Sequence, residues 1–332
     1  MLFCILRLAF KTISMPTFNI RHTTKYSYEV PVKESANQII LYPKVDNFQE
    51  LIYQKIQING NPTISTHEDY YHNTVGTFTQ IEAHSELIID SWIVVRTHPK
   101  TYNLVLEPIS VQWDVYNSIQ NQLPYLDFLR NEPVLAREEI LESISGIDKT
   151  GISPMDYAQR LNSFIFENFN YLPGITNVET TLDEAWKIKA GVCQDFAHLL
   201  CAILRFQGIP SRYISGYICP NKNGMRGEGA THAWAEAFIP FIGWVGLDPT
   251  NNCLVNDSHV RLAMGRNFSD CSPVKGTYRG TAKHNLEVSV SVEYEDSTPH
   301  NPKESWHLPE ETASYSVNSY QRNKIDQEMQ QQ

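Results

Sequence analysis

From Pro16 to about Arg96 the apolar residues fall in short runs between polar turns, and several alternate strictly with polar neighbours. Phe18 and Ile20, then Tyr26, Tyr28 and Val30, keep a period of two, the signature of strands with one buried face. Ile56 and Ile58 run into the turn Asn59-Gly60-Asn61-Pro62, and Leu87-Ile88-Ile89 with Trp92-Ile93-Val94-Val95 read as buried strands. This predicts an all-β first domain over residues 16–100, folded as a sandwich. The spacing then turns helical through Val111-Gln112-Trp113, Tyr125 to Leu129 and Ala136 to Leu141, which predicts a helical connector over 101–150. After Pro154 the residues Tyr157, Leu161, Phe164, Ile165 and Phe169 share one helix face, until Tyr171-Leu172-Pro173-Gly174 breaks it. A second domain is expected over 151–296, closing on the alternating strand Val288 to Val292. Residues 297–332 have little to bury and are expected to be a disordered tail. The opening MLFCILRLAF is too short to span a bilayer and is interrupted by Arg7; it reads as an extension over 1–15, with Met15 an alternative start.

The chain of 332 residues is 42% hydrophobic, enough for two buried cores. Its formal net charge of −10 argues against a nucleic-acid or polybasic membrane-surface partner, both of which need a basic face, and leaves a peptide, a protein or a small molecule, with a peptide or protein substrate expected. Six cysteines are too sparse for a disulfide scaffold and no CxxC pair is present, so reduced thiols in a cytoplasmic setting are expected. No motif calls for a metal or another cofactor, and no repeat sets an oligomeric state.

The chemistry concentrates after Gly191. Phe196, Leu199, Leu200, Ile203 and Gln207 recur at helical spacing, and Gly208 with Pro210 supplies a stop, which predicts a helix of about 14 residues. Cys193 then sits in the first turn, where unpaired N–H groups and the helix dipole favour a thiolate. Asp195 would oppose this, so a cation is required nearby. The stretch Thr231 to Phe238 reads as a strand with His232, Trp234 and Glu236 on one face and Ala233, Ala235 and Ala237 on the other, the small residues leaving room for a packed helix. A following strand ends at Asp248-Pro249. Cys193 as nucleophile, His232 as base and Asp248 as orienter would form a catalytic set.

These blocks, GVCQDFAHLLCAILRFQGIPSRYISGYI, THAWAEAFIPFIGWVGLDPTNN and MGRNFSDCSPVKGTYRG, resemble the transglutaminase-like superfamily of papain-type cysteine enzymes. The chain is most similar to the bacterial branch with its own N-terminal β domain, through Tyr26-Ser27-Tyr28, the Asp69-to-Asn73 turn and the strands after it. The resemblance implies an α+β fold: an N-terminal β-sandwich, a helical connector and a papain-like core with the catalytic helix on an antiparallel sheet. It assigns Cys193 as nucleophile, His232 as general base and Asp248 as orienter. Gln194 stands where an arginine is common in the family and His72 where the turn usually has glycine.

Around this set the alternatives are open. Asp195 is a capping carboxylate or binds a cationic substrate group, and Gln194 is a further substrate-side candidate. Trp234 and Trp244 wall a cleft or fill the core, and Arg212, Tyr213 and Tyr217 are equally ambiguous. His198 lies about 140° around the helix from Cys193, so it reads as a packed histidine and no metal ligand. His67, Glu68, Asp69 and His72 read as a solvated loop, with no metal assigned. The expected activity is acyl transfer through a thioester with water as the favoured acceptor, a protease or amidase; the alternative is a silent peptide- or protein-binding module using the same cleft.

Overall fold

The computed structural model describes residues 15–131, 133–177, 180–219, 225–227 and 229–295. The tail expected at 297–332 and, Met15 apart, the extension expected at 1–15 lie outside them. In chain order the first strands are β1 (Thr17–Ile39), β2 (Gln49–Ile58), β3 (Ser65–Glu68), β4 (Thr74–Gln80) and β5 (His84–Thr97). Four helices follow: α1 (Ile109–Ile119), α2 (Leu123–Leu129), α3 (Arg137–Ser143) and α4 (Pro154–Asn168). Next come β6 (Asn170–Tyr171), α5 (Leu182–Ile188), β7 (Ala190–Gly191) and α6 (Cys193–Phe206). Then β8 (Ser211–Ile218), β9 (Thr231–Ile239), β10 (Gly243–Asp248), β11 (Cys253–Leu254) and β12 (His259–Gly265) form one antiparallel sheet in the order β11-β10-β9-β8-β12. The last elements are α7 (Phe268–Cys271), β13 (Val274–Arg279) and β14 (His284–Tyr294).

The fold is α+β. Its N-terminal part is organised by β1, a strand of 23 residues that serves two sheets. The first half of β1 pairs with β5 and β14, and the pairing with β5 jumps from Ser27 to Val32 before the second half pairs with β4 and β13. Alternation along β1 sends Phe18 and Ile20 inward, where they meet Leu87, Ile89, Ile39 and Phe78 from both sheets in one apolar core. Each of these side chains contributes roughly 2 kcal/mol by leaving water. The sandwich expected at 16–100 is therefore completed from the other end of the chain: β13 and β14, within the 151–296 span expected to form the second domain, bond to β1. Alternation identifies a strand but not its partner, which is why the boundary moves.

The 101–150 helices are likewise built into the second core. Tyr116, Ile119, Ile140 and Ile144 pack with Leu161 and Ile165 of α4 and Phe196, Leu199 and Leu200 of α6. The start of α4 is fixed by Ser153, whose hydroxyl accepts the Asp156 N–H at 3.1 Å, with Pro154 in the first turn. Opposite α6 the sheet presents Ala233, Ala235 and Ala237, small enough for the helix to approach β9 closely. No helix among the described residues is long and apolar enough to cross a membrane.

Side chains on specific backbone groups dock the two parts. Asn73 donates to the Met264 carbonyl at 2.8 Å and accepts the Met264 N–H at 2.9 Å, while Gln49 does the same with Arg261 at 2.7 and 2.8 Å. Behind the sheet Glu236 holds Arg212 at 2.6 Å and Arg261 at 3.2 Å, and Arg261 also reaches Asp46. Such nearly buried charges are costly when a partner is removed, so they fix the orientation of the sheet against the β domain.

Candidate active site

Cys193 is the first residue of α6 and remains half-buried. Its helix start is held by Asp195, whose carboxylate accepts the Val192 N–H at 2.8 Å and the Thr176 hydroxyl at 2.6 Å. Asp195 is only 3% exposed, and burial raises its pKa against those hydrogen bonds. Of its two readings the geometry supports the capping one, because the carboxylate is consumed by the helix start and faces no solvent. Gln194, next in the turn, is half-buried.

The alternation of β9 turns His232 away from the alanine face. His232 Nε2 lies 2.8 Å from Asp248 Oδ2, both side chains fully enclosed. Asp248 ends β10, where Pro249 stops the ladder and the chain turns back on the carboxylate. Its Oδ1 accepts Thr250 N at 2.9 Å and Asn251 N at 3.3 Å, and its Oδ2 also accepts Asn251 Nδ2 at 2.8 Å. From α4, Asn162 reaches the Asp248 carbonyl at 3.3 Å, tying the turn to the core.

Electrostatics follow from this enclosure. Burial alone would strip the proton from His232, but the charge and hydrogen bond of Asp248, with a further contribution from Cys193, outweigh it and raise the pKa to about 10. Asp248 is correspondingly held far below the usual carboxylate range: burial opposes its charge, and His232 and His259 overcome that opposition. With Nε2 committed to Asp248, the ring nitrogen left to Cys193 is Nδ1, which has no other hydrogen-bond partner among the described residues. Gly227 covers the same atom; a Cβ there would sit 3.2 Å from Nδ1, and its φ of +77° suits glycine.

Two residues of this site are given no role by the sequence: His259 lies outside the resembling blocks, and Asn251 lies at the end of one. His259, on β12, places Nε2 3.2 Å from the same Asp248 Oδ2. Asn251 bonds Asp248 and also Arg226, accepting its N–H at 2.7 Å and donating to its carbonyl at 3.3 Å, so the 225–227 segment is clamped to the carboxylate. His232, Asp248 and His259 are close enough to serve as metal ligands. The hydrogen bonding uses the same atoms, however: Asp248 Oδ2 can only accept, which calls for a proton on the His259 Nε2 that faces it, while His259 Nδ1 lies 3.3 Å from both the N–H and the side-chain oxygen of Asn256.

The other singled-out side chains go elsewhere. Trp234 is fully buried against His232 and His259, its ring fitting where Gly216 has no side chain, so it walls the histidines and offers no face to a substrate. Trp244 lies under Arg212 and beside Phe128 and Phe238. Tyr217 bonds His22 across the docking surface at 3.0 Å, and Tyr213 is enclosed against His198. His198 accepts the Phe268 N–H at 3.0 Å, and burial with the Arg205 charge lowers its pKa to about 4. Of the four residues expected in a solvated loop, His67 and Glu68 instead end β3, exposed but paired with β4; Glu68 meets His72 at the surface, while Asp69 in the turn caps the Tyr71 and Asn73 N–H groups. His72 has φ +62°, the left-handed conformation that makes glycine usual there. The described cysteines are all free. Burial pushes Cys201 up to about 11 and Cys253, helped by the Asp248 charge, to about 12.

Residues 142–249 match the model of the transglutaminase-like superfamily, and residues 18–96 match the bacterial transglutaminase-like N-terminal region. An uncharacterised protein of Mycobacterium leprae is 30% identical over 277 residues, spanning 82% of this chain and 96% of the relative. A protein-glutamine gamma-glutamyltransferase of Pseudomonas aeruginosa is 32% identical over 100 residues, 28% of this chain and 15% of that protein. The crystal structure of a candidate cysteine protease from Cytophaga hutchinsonii superposes with a TM-score of 0.68 at 19% identity, covering 86% of this chain and 93% of that one, a likeness of fold.

Proposed function

Since the chain belongs to the transglutaminase-like superfamily, we propose that it is a cysteine enzyme that takes acyl groups from peptide or carboxamide substrates through a thioester and passes them to water. The reading is carried by the His232 ring, held by Asp248 on one nitrogen and influenced by Cys193. In this reading the Cys193 thiolate, paired with the His232 imidazolium, adds to the acyl carbon, and the C–N bond breaks as His232 gives its proton to the departing amine. The neutral ring then takes a proton from water, the hydroxide adds to the thioester, and cleavage of the C–S bond returns thiolate and imidazolium. The Cys193 backbone N–H at the helix start is one donor to the oxyanion. Asp248 keeps the ring's proton pattern and direction and balances its charge.

Iodoacetamide labelling between about pH 5 and 7 is expected to modify one thiol rapidly, and Cys193→Ala to remove that reaction, because burial raises the other described thiols, Cys201, Cys219, Cys253 and Cys271, beyond this range. Uniformly slow labelling would favour a silent binding module. With glutamine-containing peptides, ammonia release that does not require a primary amine supports hydrolysis, and stoichiometric amine incorporation would replace it with cross-linking.

Gly227→Ala is expected to slow acylation of Cys193 by p-nitrophenyl acetate about tenfold, by crowding the ring nitrogen that faces the sulfur. The left-handed backbone costs about 1 kcal/mol more with alanine, read as a small drop in Tm. An unchanged burst rate would remove Gly227 from the approach to His232.

A further inference from the structure

We propose that His259 is a positioning residue: by donating to the Asp248 oxygen that also receives His232, it aims the carboxylate and draws off part of its negative charge, leaving His232 free to exchange its proton in each cycle. This rests on the reading of Cys193 and His232 as the reacting pair. Both rings approach Asp248 Oδ2 through Nε2, His232 at 2.8 Å and His259 at 3.2 Å, with all the side chains enclosed. The Nε2 N–H has Asp248 Oδ2, which can only accept, as its partner, while Nδ1 lies 3.3 Å from the N–H and the side-chain oxygen of Asn256, and Trp234 packs edge-on against the ring, 5.3 Å away at 81°. Sheet register brings the two histidines together: His259 opposes Ile218 on β8, His232 opposes Gly216 on the same strand, and the missing side chain at Gly216 makes room for the Trp234 ring that packs against both. A residue that merely filled this corner would need no donor aimed at the carboxylate.

The groups facing His259 are Asp248, His232 and Lys100. Burial lowers its pKa, Asp248 opposes that, and the charges of His232 and Lys100 add to it, so His259 donates as a neutral ring. A neutral donor tempers the carboxylate without placing a second cation beside His232. The consequence falls on one half of the cycle. A carboxylate serving His232 alone would bind the ring proton too firmly, and the step that needs a neutral His232 to accept a proton from water would slow.

p-Nitrophenyl acetate separates the halves, because p-nitrophenolate leaves without a proton from His232 and the acetyl thioester must then be hydrolysed. In His259→Leu the burst of nitrophenolate is expected to keep its amplitude and its rate within about twofold, while the steady-state rate falls about tenfold. In His259→Gln, whose amide N–H reaches the position of Nε2, the steady-state rate should recover; in His259→Asn, which is equally polar but shorter, it should not. NMR titration of the His232 ring should show a higher midpoint in His259→Leu than in His259→Gln. Equal losses in burst and steady state for all variants, or an unchanged steady state in His259→Leu, would overturn the proposal. Should His259→Leu not fold, the contrast between Gln and Asn decides alone, with equal steady-state rates counting against it. Absence of any burst from the unaltered protein would instead strike the assignment of Cys193.

Discussion

Cys193→Ser is expected to abolish the nitrophenolate burst and lower turnover at least about a thousandfold, the largest loss any single change to this chain should produce. A serine hydroxyl does not ionise near neutral pH, so no anion would pair with His232, and the atom that must attack would keep its proton. The side chain is half-buried at the start of α6 and serine is nearly the same size, so stability should change by no more than about 1 kcal/mol. Burst amplitude against protein concentration, with Tm as the folding control, measures both. A variant that still turned over the ester at a tenth of the original rate would place the nucleophile elsewhere.

Asp248→Asn should come next, costing about a thousandfold to ten-thousandfold in turnover. The amide would present N–H groups where His232, His259 and Asn251 now donate to an oxygen, leaving buried donors facing one another. It also changes how stability depends on pH. The His232 pKa is raised from 6.5 to about 10 in the fold, so its contribution is complete below about pH 6.5 and drains away as pH rises toward 10. The Asp248 pKa is depressed from 3.8, so its contribution is complete above that value and is lost on stronger acidification. The pair therefore stabilises most between those limits. Tm of the parent chain should decline from pH 7 to 10, and Asp248→Asn should flatten that slope while lowering Tm throughout. A parallel decline in both would remove the pair from the pH response.

What the chain declares locally, it declares well. A stripe of apolar residues with a glycine and proline stop marks α6 and puts Cys193 at its start, and strict alternation from Thr231 marks β9 with His232 and the alanines on opposite faces. Asp248 is visible because proline follows it. What escapes notice depends on pairing across long stretches of sequence. His259 reaches the carboxylate only through the β12–β8 register, Asn251 holds Arg226 from 25 residues away, and β13 and β14 find β1 through a choice of partner that no periodicity encodes. Trp234 shares a strand face with His232, yet Ile214, Val255 and the two histidines enclose it, a matter of tertiary crowding. The helices at 109–143 have readable spacing but join the second core, because their apolar faces meet α4 and α6.

The sharing of β1 between two sheets governs the order in which this protein can complete its fold during synthesis. Emerging early, β1 can pair with β4 and β5, but one edge of each of its halves stays bare until the residues of β13 and β14 have been translated. Exposed strand edges recruit strands from other molecules, so a fragment cut after the first family-matching region should clump where the whole chain does not. The second domain, synthesised in the interval, has its own core and can settle first, leaving the earliest strand to be finished by the last.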